Sequence, residues 1–398
     1  MMNEEVMVLD SNILPKGLSL PALFLNVNAF DENCEMIANK AQGKTIRIAT
    51  KSIRSVPVLQ RILNSSSVFQ GLLCYSPDEA VYLAEAGFDD IMIGYPCWNE
   101  QALTKIAKLN ARGHQITCMV DAEEQVEYLH RISEKAEGFF YLCMDIDMST
   151  KFGSLHFGVR RSPINSTREA VRLARKIKTY SGLKLHGVMG YEAQIAGVTD
   201  RMPANRIKNQ VVSFLKERSI NEIHTRRKQI VQALADEGIE LSIVNGGGTG
   251  SMDSTAMDES VTEIAAGSGF YAPLLFDYYR DFRYKPALFY SLPVVRKPAP
   301  NIYTCTSGGF IASGPHGKDK MPQPVYPPGG KLLPFEGAGE VQTPIYYEDV
   351  SLSIGDPIIF RAAKAGEICE RFQVIICVKD KRIVDRYSTY RGDGQCFL

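Results

Sequence analysis

Between residues 40 and 275 the chain repeats one pattern: a short apolar run, then a stretch of roughly helical period, then the next apolar run. The runs are TIRIAT (45–50), GLLCYS (71–76), DDIMIGY (89–95), QITCMVD (115–121), GFFYLCMDID (138–147), LKLHGVMGY (183–191), LSIVNGG (241–247) and VTEIAAGSG (261–269). Amphipathic segments such as SPDEAVYLAEAG and STREAVRLARKIKTY fall between them, and Ser76-Pro77 reads as an N-cap followed by proline at the first helical position. Eight strands alternating with helices predict a (β/α)8, TIM-type barrel. A doubly wound open sheet would want a glycine-rich loop after its first strand. Here that loop is TKSIRS.

After about residue 280 helical periodicity fades. Proline and glycine crowd the stretch 313–340, and strand-like runs follow in QTPIYYEDV, DPIIFRAA, RFQVIICVKD and RIVDRYSTYRG. This predicts a carboxyl-terminal all-β domain. The early run LPALFLNV (20–27) precedes the barrel rhythm and reads as a strand joining that β domain. The expected division is 1–27 as entry segment, 28–280 as barrel and 281–398 as β domain.

Composition narrows the partners. Lys+Arg and Asp+Glu both number 45, so no general field draws the chain to nucleic acid or an anionic membrane. The basic run HTRRK (224–228) lies in a long polar helical pattern and reads as a solvated helix face. No apolar stretch is long enough to span a bilayer, and the acidic amino terminus lacks the pattern of a secretory signal. Nine singly scattered cysteines without a CxxC pair fit reduced thiols and a cytoplasmic place.

In a parallel barrel the reactive groups collect at the carboxyl ends of the strands. Lys51 stands there after the first run. NGGGTGS (245–251) ends the seventh run and AAGSGFY (265–271) the eighth, the usual location of a phosphate site. Their glycines allow close backbone approach to an anion, with Thr249, Ser251 and Ser268 adding hydroxyls. A strand-end lysine opposite a phosphate cradle suggests pyridoxal phosphate, which needs both. HFGVRR (156–161) offers Arg160, and GVMGYEAQ (187–194) offers Tyr191, to surround a ring. A cofactor-free reading also fits these residues: Lys51 as an aldolase lysine, with the glycine turns holding a sugar phosphate.

Taken together, LPALFLNVNAFDENCEMIANKA, IRIATKS, FGVR, GVMGYEAQIAG, NGGGTGS and AAGSGFY resemble, in order, the fold-type III pyridoxal-phosphate enzymes. The resemblance is to the branch of D-threonine aldolase and D-serine dehydratase, whose barrel is like the alanine racemase amino-terminal domain. It implies that Lys51 holds the cofactor's aldehyde as a Schiff base. Gly247, Gly248, Thr249, Gly267, Ser268 and Gly269 would surround its phosphate, and Arg160 and Tyr191 would approach its ring. The implied activity is that of a lyase on a small D-amino acid, by aldol cleavage or dehydration of a β-hydroxy amino acid. The alternatives are a racemase, with Tyr303, Tyr326, Tyr346 or Tyr390 as second base, or a cofactor-homeostasis protein. A homodimer is the expected assembly. Relatives carry a divalent-metal motif after a GD strand start. In this chain Gly355-Asp356 is followed by Lys364 and Gly366 where ligands would stand, so no metal ligand is assigned and a divalent ion is left open. His316 is the candidate acid in its place.

Overall fold

The computed structural model describes residues 18–203, 205–315 and 317–398. The chain forms two compact units. One contains Ile37–Lys51, Leu59–Gly267 and Phe397–Leu398; the other contains the described residues up to Met36, Ser52–Val58 and Ser268–Cys396.

The first unit is a closed barrel of eight parallel strands: β1 (Thr45–Ala49), β2 (Phe69–Cys74), β3 (Ile91–Ile93), β4 (Ile116–Val120), β5 (Phe140–Asp145), β6 (Leu183–Gly190), β7 (Ile243–Gly246) and β8 (Glu263–Ala266). All eight apolar runs are therefore strands, in sequence order. The ring closes where Ile46 faces Ile264 and Ile48 faces Ala266. Met92, Met119, Cys143, Met189 and Ile243, one from each of five successive strands, form a single buried cluster.

Local sequence explains how the helices begin. Ser76 accepts from the Glu79 amide at 3.2 Å, and Glu79 returns the bond by accepting from the Tyr75 amide at 2.8 Å, with Pro77 between them. Asn99 caps the helix Glu100–Ala111 in the same manner. Helix Thr167–Lys178 buries Ala170, Leu173, Ala174 and Ile177, the i, i+3, i+4, i+7 face that its pattern requires.

Two insertions depart from a plain barrel. A small antiparallel hairpin, Thr150–Phe152 with Leu155–Phe157, follows β5. A helix of 31 residues, Arg206–Asp236, precedes β7. Within the latter the basic run HTRRK is solvated only in part: Thr225 and Lys228 are exposed, but Arg227 is buried at 1% exposure, where two carboxylates meet it (below).

The second unit is built on a nine-stranded sheet. Ala22–Asn26 lies inside that sheet, antiparallel to Leu288–Ala299 (Phe24 opposite Phe289) and parallel to Val374–Lys379 (Phe24 opposite Ile376). Phe24 and Phe289 stack at 5.5 Å within a core shared with Ile359, Ile376 and Val378. The proline- and glycine-rich stretch is not a bare loop. Gln323–Tyr326 pairs with Pro357–Arg361, and Lys331–Leu332 pairs with Gln342–Tyr346.

Candidate active site

The barrel gathers its reactive side chains at the carboxyl ends of its strands. Lys51 sits in a single 3-10 turn, Thr50–Ser52, directly after β1. Buried Thr50 anchors that turn by donating its hydroxyl to the Leu73 carbonyl on β2 at 3.0 Å. The exposed Lys51 ammonium donates to the Tyr95 hydroxyl at 3.1 Å. Tyr95 lies just after β3, in the same relation to its strand as Lys51 to β1. Arg161, beyond the hairpin, stands 5.7 Å from the centroids of both Tyr95 and Tyr191. Tyr191 ends β6. Arg160, the arginine read from the sequence, is exposed and is not the one over the two rings.

The two phenols respond oppositely. Burial works against ionisation of Tyr95, but the charge of Lys51, the hydrogen bond from it and the charge of Arg161 outweigh burial and bring its pKa below the ordinary tyrosine value. In Tyr191 burial wins over the same two cations and the pKa is raised. Carboxylates complete the cluster. Asp145, the last residue of β5, is pushed up to about 7 by burial and then by Asp121, despite Arg161. Asp121, just after β4, is raised by burial against the Gln125 amide that donates to it at 2.7 Å.

The glycine-rich turns lie beside this group. Gly247 has φ +76°, a conformation L side chains rarely adopt, and a Cβ there would come within 2.9 Å of the Thr255 hydroxyl. A Cβ on Gly248 would meet the Tyr191 ring and Ala196 at 3.1 Å. The turns after β7 and β8 are joined: the Gly267 amide donates to the Thr249 hydroxyl at 3.2 Å. The Gly248 amide likewise donates to Ser251 Oγ at 3.1 Å. Two amides expected to face an anion are thus engaged inside the turns, where they fix the shape of the cradle.

Arg227, from the long helix, holds these turns from behind. It donates to the Gly190 carbonyl at 2.9 Å and pairs with Glu192 and Asp258, both buried. Glu192 in turn accepts from Ser251 Oγ at 3.4 Å. Burial works against the Asp258 carboxylate, yet Arg227 and Ser260 keep its pKa below the ordinary value. Removing one member of such a buried pair strands the other charge, which costs about 3–5 kcal/mol.

The second unit contains the other residues read from the sequence. Ser268 shares a hydrogen bond with Ser52 at 3.0 Å, and Gly269 follows it in the short helix Ser268–Tyr271. Lys364 donates to Ser313 Oγ at 3.1 Å, and Glu367 accepts from the amide and hydroxyl of Ser313. Lys364 and Glu367 line a cavity together with Phe310, Ala362 and Ile368. Gly366 has φ +82° and starts the turn Glu367–Arg371. Among the tyrosines weighed as a second base, the Tyr303 hydroxyl is committed to the Val350 carbonyl at 2.7 Å, and Tyr390 is fully buried. His316 lies outside the described residues. Among the described residues no group of three or more His, Cys, Asp or Glu side chains is arranged to share a metal ion. No helix there is long and apolar enough to cross a membrane.

Sequence reading missed Tyr95, Arg161, Asp145 and Asp121. A signal existed for two of them: Tyr95 and Asp121 are each the polar residue that closes a predicted run, close to the criterion that singled out Lys51, whereas Asp145 lies two residues before the end of its run.

A barrel with this strand-end lysine and paired glycine turns matches one family model. Residues 25–273 match the alanine racemase N-terminal domain, and the chain belongs to that family, one of pyridoxal-phosphate-dependent enzymes. Within it, the chain is 24% identical over 265 residues to a 3-hydroxy-D-aspartate aldolase of Paracoccus denitrificans (strain Pd 1222), a match spanning 66% of this chain and 62% of that relative. The structure resembles D-threonine aldolase from Filomicrobium marinum, with TM-score 0.79 and 20% identity over 94% of this chain and 95% of that one. It also resembles D-threo-3-hydroxyaspartate dehydratase from Delftia sp. HT23, with TM-score 0.75 and 17% identity over 96% and 99% of the two chains.

Proposed function

We propose that the protein is a pyridoxal-phosphate-dependent lyase acting on a small D-β-hydroxy amino acid. The observation that carries this reading is Lys51 at the end of β1 on the same barrel face as two glycine turns tied together by the Gly267–Thr249 bond. The cofactor, when bound, supplies an electron sink that weakens the bonds at the substrate's α-carbon. Lys51 would hold the cofactor's aldehyde carbon. Gly247 and Thr249 would face its phosphate in a cradle whose shape Gly248 and Gly267 fix, and the Tyr191 ring, 3.1 Å from where a Gly248 Cβ would stand, would lie next to the phosphate turn.

The remaining groups belong to this chain's own acid–base chemistry. Lys51 can take up a proton once its nitrogen is released. Arg161 puts a fixed positive charge over Tyr95 and Tyr191. Asp145 can give or accept a proton near neutral pH. The names of the aldolase and dehydratase relatives support a β-hydroxy substrate. Cleavage of the Cα–Cβ bond would yield glycine and an aldehyde; loss of the β-hydroxyl would yield an oxo acid and ammonia. A racemase needs a second base on the opposite face, and commitment of the Tyr303 hydroxyl to a backbone carbonyl counts against one candidate. The proposal extends to a homodimer in the cytoplasm, supported by the family resemblance.

Borohydride reduction of the cofactor-loaded protein followed by peptide mapping tests the assignment. The label is expected on Lys51, and Lys51→Ala is expected to lose both the label and the yellow colour. A label on another lysine would sink the reading. A product screen on D-threonine and D-serine, with and without divalent metal, then separates cleavage from dehydration.

A further inference from the structure

We propose that Tyr95 is a further catalytic residue: its phenol oxygen, held by Lys51, is the base that takes the lysine's proton and so frees the nitrogen to attack the cofactor's aldehyde. This rests on the reading of Lys51 as the cofactor lysine. The balance is simple. One proton leaves the Lys51 ammonium for the Tyr95 phenolate, giving a neutral amine and a neutral phenol. That amine would then be able to join the cofactor's aldehyde carbon through a C=N bond, its two hydrogens leaving with the aldehyde oxygen as water. No oxidant, reductant or further reactant is needed.

The geometry separates Tyr95 from an ordinary packing aromatic. Its hydroxyl is 3.1 Å from Lys51 Nζ, and its ring lies 5.9 Å from that nitrogen and 5.7 Å from the Arg161 guanidinium carbon. Tyr191 serves as an internal control. It shares Arg161 at the same 5.7 Å, and its phenol moves up where that of Tyr95 moves down. Lys51 donates a hydrogen bond to Tyr95, while deeper burial and the nearby Glu192 add to the rise of Tyr191. The charged groups acting on Tyr95 come from several elements: Lys51 after β1, Arg161 after the hairpin and Asp145 on β5, which opposes the two cations. Asp121 after β4 acts on Asp145 in turn.

The test uses the protein freed of cofactor, with pyridoxal phosphate as the probe. Ultraviolet titration of phenolate should show one tyrosine ionising below the ordinary range. That transition should vanish in Tyr95→Phe, move up in Lys51→Met and persist in Tyr191→Phe. In stopped-flow mixing, Tyr95→Phe should capture pyridoxal phosphate roughly tenfold or more slowly near neutral pH, with the midpoint of its pH–rate profile moved upward. Wild-type capture rate and pH profile in folded Tyr95→Phe would overturn the proposal. So would a low transition that stays in place in Lys51→Met, an outcome independent of how Tyr95→Phe folds. Failure of the wild-type protein to bind pyridoxal phosphate covalently at Lys51 would instead sink the functional reading itself.

Discussion

The barrel carries two charged clusters, one buried and one open at its ends, that differ in how fully their groups are satisfied. Toward the start of β8, Arg47 of β1 gives Nε and Nη2 to the two oxygens of Glu263 at 2.6 and 2.9 Å. It also donates to the carbonyl and carboxylate of Asp90 at 2.6 and 2.9 Å and to the Leu72 carbonyl at 3.4 Å. Asn245 adds a bond to Glu263 at 2.8 Å, and Gln115 one to Asp90 at 3.1 Å. Burial disfavours the charged guanidinium, but Glu263 and Asp90 outweigh it and raise the pKa of Arg47. The guanidinium is held charged, with its N–H groups taken up on every side.

At the opposite ends of the strands, Lys51, Tyr95, Arg161, Tyr191 and Asp145 are arranged otherwise. Lys51 is bonded to Tyr95, while Arg161 meets the two phenols over their ring faces. One phenol is lowered, one is raised, and one carboxyl is lifted to about 7. The contrast teaches what each cluster does. A saturated network holds shape and does not exchange protons, whereas opposed shifts among neighbouring titratable groups mark a site able to move them.

The largest effect that sharpens the comparison is on stability. Arg47→Met should leave Glu263 buried without its counter-charge and cost about 3–5 kcal/mol. Urea unfolding measures this. Where the variant is folded, the covalent capture of pyridoxal phosphate should match wild type. A loss of capture without a loss of stability would show that the saturated cluster is part of the chemistry and break the distinction.

A smaller effect is expected at the glycine turn. In Gly248→Val the new side chain meets Tyr191 and Ala196, which must give way. Overpacking of that kind costs about 1–3 kcal/mol, so cofactor retention should fall roughly five- to a hundredfold. Equilibrium dialysis against pyridoxal phosphate reads it directly. Unchanged retention would remove this turn from the cofactor site and leave Lys51 standing.

The barrel was legible in the sequence because each strand and helix is signalled locally, by an apolar run and by caps such as Ser76-Pro77. The strand-end lysine and both glycine turns were legible for the same reason. What was not legible depends on partners distant in sequence. Arg227 looks like one basic residue among several in HTRRK, and only the fold brings Glu192 and Asp258 to it. Choosing between Arg160 and Arg161 turns on how the Thr150–Phe157 hairpin delivers the chain, and a hairpin of two three-residue strands leaves almost no periodic trace. The strands within the proline-rich stretch were missed because each is short and its partner lies farther along the chain.

The last expected effect concerns Asp145. Its carboxyl rises to about 7 in the folded protein, from about 3.9 in the unfolded chain. Between those values the folded state keeps a proton that the unfolded state has released. Stability from this group is therefore fully present below about pH 4 and falls as pH rises toward 7. An asparagine amide does not titrate. Asp145→Asn should therefore gain stability relative to wild type as pH is raised from 5 to 8, by at most about 1.4 kcal/mol for each pH unit between 5 and the folded value. Asp121 is raised as well and is coupled to Asp145 by charge, so the difference between the two proteins reports the loss of Asp145 together with its effect on Asp121. Because Asp145 opposes the lowering of Tyr95, its loss should also let the Tyr95 phenolate form at slightly lower pH. Urea midpoints measured for both proteins at pH 5 and pH 8 decide the matter. Parallel pH dependence would mean that Asp145 is ionised throughout, and the strand-end cluster would then lack the carboxyl that most distinguishes it from the saturated one.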